Sequence, residues 1–312
     1  MMLRCCVIVC ATFLATIAPS IARVAMNPFE LTSGVVVDPA SGVIYAMNPQ
    51  YGIDAIEASS GKLRWSSNAS AKPLALSGVK LLAQGDPSGN GSTLPIMIID
   101  AKTGTLLKKV EIGLPPGVAA SVDRMMESSF TDGARLEQDV ALVWWTYSYH
   151  KVSGIAGPGP ISTRTSSGGA RIDLQTGHLE SIGPEEAAKQ RAAASPSPKF
   201  QGAGFASSDG EFLLDAESTG ADASGILRYR WRIRSVDGHG MIAEVTMPTS
   251  AAPFTVVDSV LIYISSPSGR RVGGAFVQEP LQLRAIDIKS GTERWKRPIR
   301  DTNFHGVLPP RP

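Results

Sequence analysis

A short turn unit recurs along the chain, and it constrains the fold more than any other feature of the sequence. The unit is an apolar strand ending in an acidic residue, followed by two variable residues, Ser or Thr, and Gly. It occurs at Asp100–Gly104, Asp173–Gly177 and Asp287–Gly291, and at Glu57–Gly61 with Glu in place of Asp. The carboxylate can accept hydrogen bonds from backbone N–H groups two or three residues further on. Gly takes the positive φ that other residues resist. Each copy therefore predicts the tip of a β-hairpin.

Paired apolar strands precede two of these units. Two such pairs are Gly34–Asp38 with Gly42–Met47 and Thr255–Asp258 with Val260–Ile264, and each is predicted to form two paired strands of one blade. Val236–Gly238 is a degenerate further copy of the turn. A four-stranded repeat needs about 40–50 residues. The spacing therefore predicts five recognisable repeats, and the length would allow up to seven.

The first and last full copies match over a longer stretch. Ala55–Trp65 aligns without gaps to Ala285–Trp295. This pattern resembles the repeat of quinoprotein-like (PQQ-type) β-propellers, in which a Trp four residues after the Gly packs between adjacent blades. The resemblance implies an all-β propeller of four-stranded blades, with Trp65 and Trp295 in that role. The middle copies depart from the pattern, because Lys108 and Ser181 stand at that position.

The repeat residues of this propeller are predicted to be structural. They are Gly61, Trp65, Asp100, Gly104, Asp173, Gly177, Asp287, Gly291 and Trp295.

Two stretches are predicted as insertions into the single propeller domain, 23–312. Residues 153–169 are crowded with Gly, Pro, Ser and Thr, which predicts a long loop. Residues 183–199 contain an alanine-rich run that favours a short helix, which Pro196 and Pro198 would end. We expect the second stretch to connect two blades.

The first 22 residues have the three parts of a secretory signal: Arg4, an apolar stretch, and small residues at Ser20 and Ala22. The apolar stretch is short for a membrane span. All three cysteines lie inside it, so the mature chain would have no disulfide. We expect a secreted or periplasmic protein, without stable membrane insertion after cleavage. The cysteines are Cys5, Cys6 and Cys10.

Several classes of chemistry lack their sequence signature. The chain has 30 basic and 28 acidic residues, so no net field indicates nucleic-acid binding. No metal-binding spacing and no nucleophile-elbow motif is present. PQQ-dependent dehydrogenases carry an adjacent cysteine pair against the quinone, which the mature chain would lack. We therefore expect neither a cofactor nor a metal site. The four scattered histidines are His150, His178, His239 and His305.

Two strand-like runs are candidate binding surfaces. Alternation places Arg228, Arg230, Arg232 and Arg234 on one face of a strand, either as a cationic strip for an anionic ligand or as a solvated outer face. In the second run Trp145, Tyr147 and Tyr149 share a face. That face either stacks on sugars or packs between sheets, and the sequence favours packing.

The sequence thus favours an exported, monomeric, non-catalytic propeller that binds a protein or a glycan. A glycan-acting enzyme with carboxylates in the central funnel is the alternative, and a PQQ-dependent dehydrogenase is the least favoured. Close carboxylates at one end of the central channel would favour the enzyme. The middle of the chain, where the repeat diverges, is the expected place of any specific function.

Overall fold

The computed structural model describes residues 27–68, 72–85, 92–115, 126–152, 161–194, 204–223, 225–237, 240–266, 268–272 and 275–300. Within these ranges the chain forms 23 strands and one helix. That helix is too short and too polar to cross a membrane. The predicted signal segment and its cysteines lie outside the described residues.

Five antiparallel sheets follow one another along the chain, and we number them blades 1 to 5. Blade 1 contains β1 (Phe29–Thr32), β2 (Val35–Asp38), β3 (Val43–Met47), β4 (Ile53–Glu57) and β5 (Leu63–Ser67). Blade 2 contains β6 (Lys72–Ser77), β7 (Lys80–Gln84), β8 (Thr93–Asp100) and β9 (Leu106–Gly113). Blade 3 contains β10 (Met126–Glu137), β11 (Val140–Val152), β12 (Ile161–Asp173) and β13 (Leu179–Ile182).

The remaining elements form blades 4 and 5 and the helix between blades 3 and 4. Helix α1 (Pro184–Ala194) separates blade 3 from blade 4. Blade 4 contains β14 (Phe205–Ala206), β15 (Phe212–Ala221), β16 (Leu227–Ser235) and β17 (Met241–Met247). Blade 5 contains β18 (Phe254–Val257), β19 (Val260–Ser265), β22 (Gln282–Asp287) and β23 (Glu293–Pro298). The hairpin β20 (Ser268–Val272) and β21 (Ala275–Glu279) is inserted between β19 and β22. The predicted β-propeller with five blades is confirmed.

The predicted turn chemistry is present. Asp100 Oδ1 accepts hydrogen bonds from the backbone N–H groups of Lys102 and Thr103, both at 2.9 Å. Asp173 and Asp287 do the same in blades 3 and 5. These bonds favour the charged carboxylate and lower the pKa of Asp100, chiefly through the Thr103 N–H.

A second hydrogen bond ties the two hairpin turns of each blade together, and it is present in all five blades. The residue after the acidic position, or after Ser235 in blade 4, donates its backbone N–H to a carbonyl in the other turn. The pairs are Ala58 to Gly42, Ala101 to Val79, Leu174 to Asp139, Val236 to Glu211 and Ile288 to Ser259. These ten turns lie on one face of the propeller, which we call the tip face. Blade 4, whose sequence repeat is degenerate, thus keeps the same geometry.

Tryptophans fasten three consecutive blades. Trp295 Nε1 donates to Ala58 O of blade 1 at 2.9 Å, and Trp65 Nε1 donates to Ala101 O of blade 2 at the same distance. Each indole lies against a glycine: a Cβ added to Gly104 would stand 2.6 Å from the Trp65 ring. Between blades 2 and 3, Lys108 takes the place of the Trp and donates to Gln175 O at 2.6 Å.

Four apolar clusters lie between neighbouring blades. They join blade 5 to 1, blade 1 to 2, blade 2 to 3, and blade 4 to 5. The first and last blades, which carry the two matching repeats, are therefore neighbours. Among the described residues no apolar cluster joins blade 3 to blade 4. Helix α1 packs against β11 and β12 at this junction, where the Arg135 guanidinium donates to Gln190 at 2.7 Å.

The two predicted insertions have different outcomes. Residues 161–169 were expected in a loop, but they form the first part of β12 because they pair continuously with β11. Residues 153–160 lie outside the described part. The predicted alanine-rich helix is present as α1, and it connects two blades as expected.

Candidate binding face and central polar cluster

Strand β1 is an extra inner strand of blade 1 and lies at the centre of the ring. It pairs with β2 and contacts β6 of blade 2. Ser208 of blade 4 donates to Leu31 O at 2.7 Å, and the Leu31 side chain packs in the cluster between blades 1 and 5. One four-residue strand thus contacts four blades.

A buried polar cluster lies beside β1. Lys72 Nζ is 2.5 Å from Asp132 Oδ1, and these side chains of β6 and β10 are 6% and 1% exposed. With its amide nitrogen toward Asp132, Gln84 donates to Oδ2 at 2.9 Å. Glu30 of β1 interacts electrostatically with both charges. Solvent reaches Glu30, but the surrounding protein desolvates its carboxylate and raises its pKa.

This cluster does not have the arrangement expected of a glycan-cleaving pair. Asp132 is held by a lysine and an amide and is closed to solvent, which leaves Glu30 as the one carboxylate of the cluster in contact with solvent. Glycosidases need two carboxyl groups that reach the substrate. The cluster therefore fastens blades 1, 2 and 3 at the centre. Among the described residues no three His, Cys, Asp or Glu side chains gather as a metal site would need.

The predicted arginine strip is on β16. Its opposite face, with Trp231 and Ile233, is buried in the cluster between blades 4 and 5. The Arg232 guanidinium lies 2.7 Å from Glu217 of β15 and 3.5 Å from Glu244 of β17. Arg230 lies 4.0 and 3.6 Å from the same two carboxylates.

The two ends of the strip differ. Arg228 pairs with Asp222 at 2.5 Å, and Arg234 is exposed. The central arginines thus form a charge ladder within their own sheet, which favours the solvated-face interpretation over a free anion site.

The aromatic run of β11 packs inside the protein. Trp145 and Tyr147 are each 4% exposed and belong to the cluster between blades 2 and 3, with Phe130 stacked 6.4 Å from Trp145. The Tyr149 side chain lies outside the described part. Trp144, on the other face, lines a cavity of about 20 Å³ under α1 with Ala187 and Arg191. This volume holds about one water molecule.

Three adjacent blades carry long hairpins on the face opposite the tip face, which we call the distal face. In blade 3, β11 and β12 continue for eight residue pairs beyond the end of β13, from Trp145↔Gly168 to Val152↔Ile161. At about 3.3 Å per residue the two strands extend roughly 26 Å beyond β13, and Trp145 and Tyr147 at the base of this extension are buried between blades 2 and 3. In blade 4, β15 continues seven residues beyond its last contact with β14, through 215–221. In blade 5, the whole hairpin β20–β21 is inserted on this face.

Exposed apolar side chains mark the blade 4 hairpin. Ile226 and Leu227, at its distal end, are 41% and 53% exposed. Phe205 of the neighbouring β14 is 42% exposed. Exposed apolar side chains also occur at the tip end of the blades, at Val79, Leu107 and Met241, so the length of the hairpin rather than its apolar exposure distinguishes the distal face.

The central cluster and the distal hairpins were not predicted from the sequence. The local sequence signs of the central cluster are a lysine at the start of the apolar strand β6 and an aspartate close to Phe130 in β10. The sequence sign of the distal hairpins was the long stretch from Phe212 to Ser235 in blade 4, which contains few Gly or Pro residues.

Comparisons with known proteins give low similarity. No protein-family model matches the chain, and no curated protein matches it. Among solved structures, BamB from Moraxella catarrhalis is 14% identical, with 83% of this chain and 61% of that chain covered, at a TM-score of 0.28. A quinohemoprotein alcohol dehydrogenase from Pseudomonas putida is 15% identical, with 88% and 43% covered, at a TM-score of 0.27. One from Comamonas testosteroni is 12% identical, with 89% and 44% covered, at 0.28. The chain thus spans about half the length of these proteins.

Proposed function

We propose that this protein is an exported, non-catalytic binding module whose distal face contacts another protein. The observation that carries the proposal is the concentration of long hairpins on one face of three consecutive blades, 3, 4 and 5. Blades 1 and 2 make no comparable projection within their described residues. Export is proposed from the signal-like sequence at 1–22.

The two faces of the propeller support this assignment differently. On the tip face, acidic residues are engaged by their own or by neighbouring turns. Asp139, for example, accepts from Lys80 and Gln175, both at 2.9 Å, and the Lys80 bond lowers its pKa. On the distal face, Ile226 and Leu227 are exposed at the end of a hairpin. Burying such side chains against a partner is favourable by about 25 cal/mol per Å² of apolar area.

The cavity under α1, at about 20 Å³, is far below the 300–1,000 Å³ of small-molecule sites. The Lys72–Asp132 pair, closed to solvent, supports a structural role for the central cluster.

Site-specific photo-cross-linking in the exporting host tests the proposal. A photo-reactive amino acid would replace Leu227 in one variant and Leu107 of β9 in the control, because both leucines are 53% exposed. We expect a defined protein adduct from position 227 and none from position 107. Equal adducts from both positions, or an adduct from 107 alone, would overturn the distal-face assignment.

A shortened hairpin gives a second test. Thr219 Oγ1 donates to Arg228 O at 3.1 Å, so these residues already lie side by side. Replacing 220–227 by Asn-Gly would close the hairpin with a two-residue turn. We expect this variant to fold and to lose the partner in a co-purification quantified by mass spectrometry. Undiminished partner recovery would contradict the proposal.

A further inference from the structure

Blade 4 has an incomplete inner strand. Strand β14 contains two residues, whereas the inner strands of the other blades contain four or more. It pairs with β15 at Leu213 and Leu214 alone. Beyond that point, Asp215–Ala221 has β16 on one side and no described strand on the other.

The hydrogen bonds next to the β14–β15 pairing show which way the backbone N–H and C=O groups of β15 point. Ser207 N–H donates to Phe212 O, and Phe212 N–H donates to Ser207 Oγ, both at 2.9 Å, so Phe212 faces β14. Backbone groups alternate in direction along an antiparallel strand. The N–H and C=O groups of Ala216 and Ser218 therefore point toward the open side, away from β16.

The side chains along this edge also alternate. Asp215 and Glu217 are exposed on the face that carries the arginine ladder. Ala216, on the other face, packs against the apolar cluster between blades 4 and 5, and Ser218 follows it. A strand added here would place its residues alternately beside two carboxylates and over a small, partly apolar surface.

We propose that the β15 edge, Asp215–Ser218, binds an extended segment of another polypeptide by β-strand addition. The added strand continues the line of β14 and completes the inner position of blade 4. Its side chains alternate between basic residues, which lie opposite Asp215 and beside Glu217 with its Arg232 partner, and apolar residues over Ala216. Backbone hydrogen bonds supply the affinity and the alternating side chains supply the selectivity. This inference rests on the proposed function, because it names the class of partner that the distal face receives.

The test uses two synthetic peptides and the full exported chain. The first is acetyl-Lys-Val-Lys-Val-Lys-Val-Lys-amide, and the second has Glu in place of every Lys. We expect the lysine peptide to bind at least tenfold more tightly in fluorescence polarisation. We also expect it to slow amide exchange at Ala216 and Ser218, whereas Asp215 and Glu217 are already protected by β16.

Substitutions at the edge separate strand addition from general charge attraction. Ala216→Pro removes an N–H that faces outward, which an edge strand tolerates, and it should reduce lysine-peptide binding at least tenfold. Ala216→Val keeps the N–H and should bind as the wild type does. Asp215→Lys avoids any effect of proline on folding and should reverse the preference between the two peptides.

Three results would overturn the inference: lysine-peptide binding that is indifferent to Ala216→Pro, protection confined to other strands, or an Ala216 amide already protected in the free protein. The last result would mean that a segment of the same chain covers the edge. A photo-adduct at position 227 that persists in Ala216→Pro would refute strand addition and leave the distal-face proposal standing. If no adduct forms at position 227 in the protein that keeps Ala216, the proposed function is refuted instead.

Discussion

The buried ion pair between Lys72 and Asp132 gives the sharpest test of the central packing. Its side chains are 6% and 1% exposed, and the two charged atoms are 2.5 Å apart. Removing one partner leaves the other charge desolvated and without its counterion. Such changes cost about 3–5 kcal/mol in the free energy of unfolding. We therefore expect this loss for Lys72→Met and for Asp132→Leu, each measured alone.

The double variant Lys72→Met/Asp132→Leu should behave differently. Apolar replacement of both partners removes the desolvation penalty together with the attraction, and it is commonly neutral or stabilising. We expect its free energy of unfolding to lie within about 1 kcal/mol of the wild type or above it. The coupling between the two positions would then be several kcal/mol.

Urea unfolding, followed by tryptophan fluorescence and far-UV circular dichroism, measures these differences. With a slope of roughly 3 kcal/mol per M, each single variant should lower the midpoint by about 1–1.7 M. The matched control is Lys109→Met, because Lys109 pairs with Glu111 at 2.7 Å with side chains 39% and 44% exposed. An exposed pair contributes less than about 1 kcal/mol. If Lys72→Met cost no more than Lys109→Met, or if the double variant lost the sum of both single losses, the reasoning would be refuted.

Three further predictions concern the blade junctions and the centre. Trp295→Ala should lower the free energy of unfolding in urea by about 2–4 kcal/mol. Trp295→Phe should lower it by about 1 kcal/mol, because Phe keeps the ring packing and loses only the hydrogen bond to blade 1. Equal losses for the two variants would contradict this expectation. Gly104→Ala should lower the free energy of unfolding more than Gly291→Ala does. Both glycines have a positive φ, but only a Cβ at Gly104 would meet an indole, that of Trp65. The Glu30 pKa is raised on folding, so the folded state holds its proton more tightly and stability falls as pH rises from about 4.5 through that pKa. Glu30→Gln should flatten this slope in unfolding curves taken across pH 4–8, and an unchanged slope would show that Glu30 is not its source.

The sequence predicted the features that depend on neighbours along the chain. Asp100, with Thr103 and Gly104, contains all the atoms of its turn, so the pattern specifies the hydrogen bonds directly. The alanine-rich run predicted α1 for the same reason. Gly- and Ser-rich composition misled the prediction for 161–169, because pairing with β11 outweighs the weak strand preference of those residues.

The alternating arginines of β16 show where sequence information ends. Alternation correctly placed them on one face, since side-chain direction in a strand follows from the backbone. It could not show that Glu217 and Glu244, on two other strands, neutralise Arg230 and Arg232. Those partners are distant in sequence, and the register between strands brings them together.

The sequence by itself determined the repeating hairpin tips, because each is specified by residues within one repeat. The resemblance to PQQ-type propellers implied the four-stranded blade and the two tryptophan junctions. Tertiary structure alone decided that β1 lies at the centre, that Lys72 meets Asp132 there, and that no strand of the described residues pairs with one side of β15 beyond β14. These features depend on contacts between blades far apart in sequence, and such contacts arise when apolar faces are buried together. The proposed function rests on such features, in blades 3 and 4, where the repeat diverges, and in the hairpin inserted into blade 5.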